Sequence, residues 1–472
     1  MRSILVCPSF CVEEYLGKSF GFDELSVVSV DYNADGEFLF FLNRESLSKR
    51  SICELPFSPG FLTFVAERLQ KDRLILTRWE QCSNNVVDFN DAVLTDLIRL
   101  HEALFANKYN RAIFFTPIYH HRHTFLIDIV CDFLGIQRIF LYPNQVNGDL
   151  LPLIIEKAGV ENRRLLKVNR SARKVNIIAF VERCELSKKP VTYERDNLEL
   201  GIYQSVFIAV LFCIYRFFKA KFSSNKALRY YVKLGLFNEI SLLFRQRRFV
   251  KEYKKIHKWS LDNIAFDRSI IIAAHAQPEA SSVPEGGLVR THAELVISLK
   301  EQGFFGDIYY KEHPASLRYF DKYVGPTKSG QYRYANYVPL LQDYGVKFLR
   351  GDSNMLSLKS DESPFIITMT GTIALERALL GLRTIVTGYP WFINCPGVIH
   401  IKDANFSKDG LVRKSWLKPD SELASEARIF IQQCLSESGV PNPEGIGNLH
   451  PHEDEAMYVE YYEALIQICK EK

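Results

Sequence analysis

Three short stretches in the second half of the chain combine residue types that bind or transfer charged groups. The first is HAQPEASSVPEGG, residues 275–287, where Glu279 is a candidate general base for an acceptor proton. His275, Gln277 and Ser281 are candidate ligand-binding residues in the same polar, proline-containing stretch. The alternative interpretation is a helix-capping turn with surface acids.

The second stretch is the tetrapeptide Lys311-Glu312-His313-Pro314. Pro314 biases His313 toward extended backbone geometry, and both Lys311 and His313 can donate hydrogen bonds to a phosphate. A protonated His313 could also give its proton to a departing phosphate oxygen. A structural histidine is the alternative, because four residues alone make a weak motif.

The third stretch, TMTGTIALE, joins an apolar run to a predicted helix through a small, hydroxyl-rich turn. Thr370, Gly371 and Thr372 would present backbone N–H groups, hydroxyls and the positive end of a helix to an anion. Gly371 would let a ligand approach the backbone, and Glu376 could accept hydrogen bonds from ribose hydroxyls. The alternative is an ordinary helix N-cap, with Glu376 on the exposed side.

Each stretch follows a predicted strand: residues 269–274, 307–311 and 364–369. Strands and helices alternate at intervals of roughly 20 to 30 residues, which is typical of βαβ units and a parallel sheet. Ligands of such sheets bind beyond the carboxyl ends of the strands, so we expect the three stretches to meet there. Further strands are predicted at residues 3–7, 25–32, 111–116, 137–142, 346–349 and 383–387, and helices at 125–134, 292–302, 338–344 and 372–380.

The length and composition indicate a globular protein with two large domains, and the alternation of strands and helices indicates the α/β class. The chain has 472 residues, 47% hydrophobic and 13% aromatic, which excludes a disordered chain and a small disulfide-stabilised fold. We predict two Rossmann-like doubly wound domains facing a cleft, with a helical basic segment between them. The predicted boundaries are 1–200 for an acceptor domain, 201–264 for the linking segment, 265–445 for a nucleotide-binding domain and 446–472 for a helix that packs back on a domain.

The linking segment concentrates the positive charge of the chain. Residues 201–218 are strongly apolar, and thirteen basic residues but only two acidic ones lie between 216 and 258, although the whole chain carries only +4. An apolar helix beside basic residues is typical of a patch that contacts anionic headgroups at a membrane surface. A helical linker with a solvated basic face is the alternative. Nucleic acid is not expected as a partner, because no recognition motif accompanies the charge.

Common nucleotide-binding and metal-binding motifs are absent from the sequence. It contains no D-x-D, no Walker-type loop and no G-x-G-x-x-G, so we expect no metal and no cofactor beyond a substrate. The ten cysteines are scattered without close pairs, which indicates neither zinc nor disulfides and favours a reducing cytoplasm. The first apolar run is too short for a signal peptide, so we expect an unexported protein.

Taken in order, HAQPEASSVPEGG, YYKEHP and TMTGTIALERALLGLRTIVTGYPWF resemble the capsular-polysaccharide synthesis family of bacterial glycosyltransferases, which includes Kdo transferases. The resemblance covers residues 265–400 well and residues 114–136 more loosely. It implies a GT-B fold and a CMP-activated acidic sugar as donor, with His313 and Pro314 as the His-Pro pair and Thr370 and Thr372 on the nucleotide phosphate. The acidic motif that gives many relatives their catalytic acid is absent from the first half.

The resemblance further implies that Glu376 lies near the ribose and that Glu279 is the active-site carboxylate, for which Asp149 is the other candidate. The function predicted on this basis is transfer of an acidic sugar, Kdo in the first instance, from a CMP donor to a surface polysaccharide or lipid-linked glycan at the inner face of the membrane. The alternatives are a CDP-alditol phosphotransferase, a polysialyltransferase-like enzyme and a non-catalytic glycan-assembly protein. The predicted donor-binding residues are His275, Gln277, Ser281, Lys311, Glu312, Pro314, Thr370, Gly371, Thr372 and Glu376, and the predicted catalytic residues are Glu279 and His313.

Overall fold

A computed structural model of the chain contains two compact units. Unit 1 comprises residues 1–175, 219–234 and 433–472, and unit 2 comprises residues 176–218 and 235–432. The residues that the structure describes are 3–6, 25–32, 38–42, 45–46, 59–71, 86–115, 122–142, 146, 150–156, 163–167, 177–187, 205–222, 236–264, 269–275, 286–287, 289, 291–321, 325–326, 333, 336–351, 353–356, 358, 365–404, 421–441 and 463–468.

The strands of the described residues belong to two large sheets and one small hairpin. In chain order they are β1 (Ser3–Val6), β2 (Leu25–Tyr32), β3 (Phe38–Leu42), β4 (Glu45–Ser46), β5 (Arg111–Phe114), β6 (Gln137–Leu141), β7 (Leu150–Glu156), β8 (Arg163–Leu165), β9 (Lys258–Trp259), β10 (Ser269–Ala273), β11 (Asp307–Lys311), β12 (Phe320–Asp321), β13 (Gly325–Pro326), β14 (Lys347–Leu349), β15 (Phe365–Thr368), β16 (Thr384–Val386), β17 (Val398–His400) and β18 (Gly439–Pro441).

The helices alternate with these strands along most of the chain. They are α1 (Pro59–Lys71), α2 (Val86–Asn107), α3 (Arg122–Phe133), α4 (Ile178–Ser187), α5 (Val206–Phe222), α6 (Leu236–Lys255), α7 (His292–Glu301), α8 (Tyr337–Asp343), α9 (Thr372–Leu379) and α10 (Ser421–Ser438).

The sheet of unit 1 is parallel in its centre and antiparallel at its edges. Its order is β18-β7-β6-β5-β1-β2-β3-β4, with β8 also paired to β7. The strands β2, β1, β5 and β6 run parallel, and their neighbours β3 and β7 run antiparallel to them. The sequence predicted the parallel centre, because its strands are continuous apolar runs that must be buried on both faces.

The sheet of unit 2 is entirely parallel in the described residues, in the order β17-β16-β15-β10-β11-β14-β9. The central strand β10 is buried over its first four residues. Its residues alternate between two cores: Ile270 and Ile272 belong to one cluster and Ile271 to the other. Both faces are therefore covered. The α/β fold class with doubly wound parallel architecture is confirmed.

Most of residues 201–264, predicted as a linking segment, belong to unit 2, and residues 219–234 belong to unit 1. The helices α5 and α6 place Ala209, Cys213, Leu243 and Tyr253 in the same core cluster as β10. The strand β9 extends the parallel sheet by pairing with β14. The buried apolar residues recur at helical spacing on one side of each helix, and this side packs on the core of unit 2.

The last described residues of the chain pack on unit 1. Residues 463–468 are helical, and Ala464, Leu465 and Ile468 are fully buried. The guanidinium of Arg111 donates a hydrogen bond to the carbonyl of Ile468. These contacts give the end of the chain a place in the core of unit 1, beside the first residue of β5.

Candidate functional site

The three stretches predicted from the sequence meet at the carboxyl edge of the unit 2 sheet. Their strands β15, β10 and β11 are neighbours, with Ile272 opposite Ile367 and Ala273 opposite Lys311. The segments that follow these strands therefore begin side by side. The prediction that parallel pairing brings them together is confirmed.

His275 lies at the centre of this edge, two residues after β10. Its side chain is buried, and neither imidazole nitrogen has a hydrogen-bond partner among the described residues. Its backbone N–H donates to His292 Nε2 at 3.1 Å, and the two rings are stacked with centroids 6.1 Å apart. Burial, reinforced by the charge of Arg333, lowers the pKa of His275 to about 4. The imidazole is therefore neutral at pH 7, with both nitrogens available to a ligand.

Gly371 lies against this imidazole and begins helix α9 as its N-cap. A Cβ added to Gly371 would be 2.7 Å from Thr368 Oγ1 and 3.3 Å from Cε1 and Nε2 of His275. The hydroxyl of Thr368 is held in place because it donates to the carbonyl of Ala273 at 3.2 Å. The φ of −63° at Gly371 suits any residue, so space rather than backbone geometry requires glycine here. The helix start and the His275 ring thus lie against each other, with no room for a side chain between them.

Glu312 and Arg333 form a fully buried ion pair beneath this site. Arg333 Nε and Nη2 donate to the two carboxylate oxygens at 2.8 and 2.9 Å. Arg333 Nη2 also donates to the carbonyl of His275 at 3.2 Å, and Glu312 accepts from the His313 backbone N–H at 2.9 Å. The pair therefore ties the segment after β10 to the segment after β11, which gives Glu312 a positioning role. A direct contact between Glu312 and a donor stays a prediction.

Two tyrosines complete the surroundings of this ion pair. Tyr310 donates its hydroxyl proton to Glu312 at 3.0 Å, and its oxygen lies 3.2 Å from the hydroxyl of Tyr337. The guanidinium of Arg333 stacks over the ring of Tyr337 at 4.9 Å. A buried ion pair is stable only when its remaining hydrogen-bonding groups are satisfied, and these contacts provide that.

His313 is half-buried and follows Glu312 directly. Desolvation, followed by the charge of Lys311, lowers the pKa of His313 to about 3. The imidazole is therefore neutral at pH 7, whereas the sequence suggested a protonated His313 as proton donor. The difference arises mainly because burial disfavours the charged ring, and the positive charges of Lys311, Arg318 and Arg333 add to this effect. A bound anion would counter that charge and raise the pKa.

Pro314 begins a short 3-10 turn, Pro314–Leu317, that is anchored by helix α6. The fully buried side-chain amide of Gln246 donates to the carbonyls of Ser316 and Arg318, the latter at 3.1 Å. The backbone N–H of Ser316 donates to the carbonyl of His313 at 2.9 Å. A helix of the predicted linking segment thus holds the turn that carries His313.

The remaining predicted residues fall into two groups. Lys311 is buried at the end of β11, and Thr370 is buried two residues after β15. Thr372 is the half-buried first residue of α9, and Glu376 is buried one turn later in that helix. The contact of Glu376 with a ribose stays a prediction. Glu279, Gln277, Ser281 and Asp149 lie outside the described residues.

The end of the first stretch is held close to β16. The hydroxyl of Thr387 donates to the carbonyl of Gly286 at 2.9 Å. Gly287 has a φ of +74°, and a Cβ there would lie 2.4 Å from the carbonyl oxygen of Thr387, so only glycine fits. The segment after β10 therefore returns to the same edge of the sheet before α7 begins.

Sequence reasoning missed three positioning residues: His292, Arg333 and Gln246. His292 had a usable signal, because Thr291 and Glu294 form a capping box that fixes the start of α7. Arg333 and Gln246 had none, since each is a polar residue without a motif that becomes buried only through tertiary packing. Within the described residues, no group of three or more His, Cys, Asp or Glu is arranged to hold a metal ion.

No protein-family model matches the chain, and no curated protein matches it in sequence. Among solved structures, the chain is similar to KpsC of Thermosulfurimonas dismutans, a β-Kdo 2,7-transferase, with 12% identity over 79% of this chain and 89% of that chain and a TM-score of 0.29. It is also similar to UDP-GlcNAc 2-epimerase of Methanocaldococcus jannaschii, with 12% identity over 78% and 94% and a TM-score of 0.20. The Rickettsia bellii UDP-N-acetylglucosamine 2-epimerase gives 12% identity over 99% and 94% and a TM-score of 0.20. We therefore base the function on the contacts within unit 2.

Proposed function

We propose that the chain is a glycosyltransferase of the GT-B kind that moves an acidic sugar, Kdo, from a CMP donor to a bacterial surface polysaccharide or lipid-linked glycan. The observation that carries the proposal is the imidazole of His275, which lies beside Gly371 at the start of α9. A buried imidazole with both nitrogens unpaired among the described residues faces a helix start that has no side chain. This arrangement suits an anion such as a nucleotide phosphate.

The positive charge near His275 and His313 supports the same ligand. Lys311 and Arg333 lie close enough to the histidines to lower their pKa values. A phosphate would bring negative charge to groups that otherwise repel one another. The histidines would then donate N–H bonds from neutral or protonated rings, according to the charge on the bound phosphate.

In the proposed reaction, the bond between the anomeric carbon and the CMP phosphate breaks while negative charge accumulates on CMP. Preorganised donors around that charge lower the barrier without moving during the reaction. Lys311, His313 and the N–H groups at the start of α9 would supply them. Glu279 is proposed to take the acceptor proton, and the resemblance of the three stretches to the Kdo-transferase family is the reason for choosing CMP-Kdo.

The donor is tested by offering CMP-Kdo, CMP-sialic acid and CDP-glycerol in parallel and measuring CMP release with and without glycan acceptors. CMP release from CMP-Kdo that depends on an acceptor would support the proposal. Turnover of CDP-glycerol instead would identify an alditol phosphotransferase, and turnover of CMP-sialic acid would identify a sialyltransferase. CMP binding without turnover of any donor would identify a non-catalytic protein and end the proposal.

The role of His313 is tested by the His313→Ala variant, which should fold normally and lose transfer. His257→Ala is the matched control, because His257 is an exposed histidine of the same unit, outside the carboxyl edge of the sheet. Unchanged turnover in His313→Ala would defeat the assignment of this residue.

A further inference from the structure

Helix α5 has two apolar faces, and only one of them is buried. Ala209 and Cys213 are fully buried, and Val206, Val210 and Phe212 pack beside them on the unit 2 core. The opposite face exposes six large apolar side chains, most of them three or four residues apart and therefore on one side of the helix. They are between 38% and 79% exposed: Phe207, Ile208, Leu211, Tyr215, Phe218 and Phe222. A continuous exposed stripe of this kind marks an interaction surface.

Basic residues follow this stripe. The last turn of α5 carries Lys219 and Lys221, both exposed, and the sequence of α5 contains no acidic residue. Within the described residues, no helix is long and apolar enough to cross a bilayer. Helix α5 therefore has the character of a helix that lies along a membrane surface.

Helix α6 packs on the same core and adds a dense positive face. Its inner side buries Leu243, Phe249 and Tyr253, together with Gln246, which anchors the His313 turn. Its outer side exposes six basic residues: Arg245, Arg247, Arg248, Lys251, Lys254 and Lys255. The exposed ring of Phe244 lies among them. A helix is about 10–12 Å across, so this basic face lies about one helix diameter from the turn that carries His313.

We propose that the exposed faces of α5 and α6 form a docking surface for an anionic lipid bilayer. The apolar stripe of α5 would enter the boundary between headgroups and acyl chains, and the basic residues would meet the anionic headgroups. A membrane satisfies both features together. A second copy of the chain would bring two strongly basic helices into contact, and nucleic acid would leave the apolar stripe in water.

The test is flotation of the full-length chain with vesicles of phosphatidylcholine alone or with 30% phosphatidylglycerol, at low and high salt, without any donor. We expect binding to the anionic vesicles that is lost at high salt. The Arg245→Glu, Lys251→Glu, Lys254→Glu variant should bind at least about a hundredfold more weakly, because each basic residue near an anionic surface contributes about a factor of five. The Phe207→Ser, Leu211→Ser variant should lose about tenfold or more.

A matched control shows whether the loss of lipid binding is specific to the α5 surface. Phe305→Ser, Ile429→Ser removes two equally exposed apolar side chains of unit 2 that lie outside α5 and α6, and its lipid binding should equal that of the parent chain. Because every substituted residue is exposed, all variants should keep the thermal unfolding temperature. Equal flotation of the α5 variant and the control would overturn the proposal, as would a dimer in light scattering that the α5 variant abolishes. Glycosyl transfer is not measured here, so the outcome is independent of the donor.

Discussion

Replacement of Gly371 by alanine tests the close contact between the start of α9 and His275, beside which the proposed phosphate site lies. The new methyl carbon would lie 2.7 Å from Thr368 Oγ1 and 3.3 Å from the His275 ring, both inside normal contact distances. The Thr368 hydroxyl cannot move away without losing its bond to Ala273, and His275 is itself enclosed. Overpacking of this kind costs about 1–3 kcal/mol. We expect the unfolding temperature of unit 2 to fall by about 2–12 °C.

The same methyl group would occupy the approach to the N–H groups of α9. We therefore expect CMP and inorganic phosphate to bind at least about tenfold more weakly, which is about 1.4 kcal/mol. Thermal unfolding and titration calorimetry measure the two effects separately. Gly351→Ala is the matched control, because a Cβ there meets nothing within 4 Å and should change neither quantity. Phosphate affinity and unfolding temperature equal to those of the parent chain in Gly371→Ala would refute the proposed site.

Three further predictions concern titratable groups near Gly371: the Glu312–Arg333 ion pair, His275 and His313. Removing one member of the buried ion pair, in Glu312→Gln or Arg333→Met, should lower the free energy of unfolding by about 3–5 kcal/mol in denaturant titrations. The double variant should lose less than the sum of the two single losses, and additive losses would contradict the pairing. The folded-state pKa of His275, about 4, lies below the unfolded value of 6.5. The stability that the neutral ring contributes to the folded state is therefore fully present above pH 6.5 and is lost as the pH falls toward 4. His275→Gln should therefore reduce the slope of unfolding free energy against pH in that window by up to about 1.4 kcal/mol per pH unit, and an identical slope in both proteins would contradict the buried neutral ring. In NMR titrations the pKa of His313, about 3 in the free protein, should rise by about one unit or more when phosphate binds, and an unchanged value would place the anion elsewhere.

The strands and helices around the site could be predicted from the sequence because their local patterns agree with the global fold. The runs that form β10 and β15 are rich in isoleucine, the run that forms β11 carries Ile308 and two tyrosines, and each is followed by a polar stretch. Parallel pairing then dictates which chain segments become neighbours. The same reasoning predicts that His275, His313 and Gly371 lie at one edge of the sheet.

The parts that the sequence did not disclose depend on tertiary contacts. The pairing of β7 with β18 joins residues almost three hundred positions apart, and neither strand carries a signal for the other. Arg333 is buried only because Glu312 and Tyr337 enclose it. The pKa of His313 follows first from its burial and then from charges contributed by several separate segments. Such quantities are properties of the packed chain rather than of any local pattern.

The pairing of β18 with β7 has a consequence for the order in which the protein assembles on the ribosome. The outer edge of β7 is shared: β8 covers Ile154–Glu156 and β18 covers Leu150–Pro152. Roughly 280 residues separate β7 from β18, and at about 5–20 residues per second their synthesis takes roughly 15–60 s. During that interval half of the β7 edge is an unpaired strand that can recruit another chain. A ribosome-bound chaperone that shields β7 should therefore raise the yield of folded protein far more than one that acts after release.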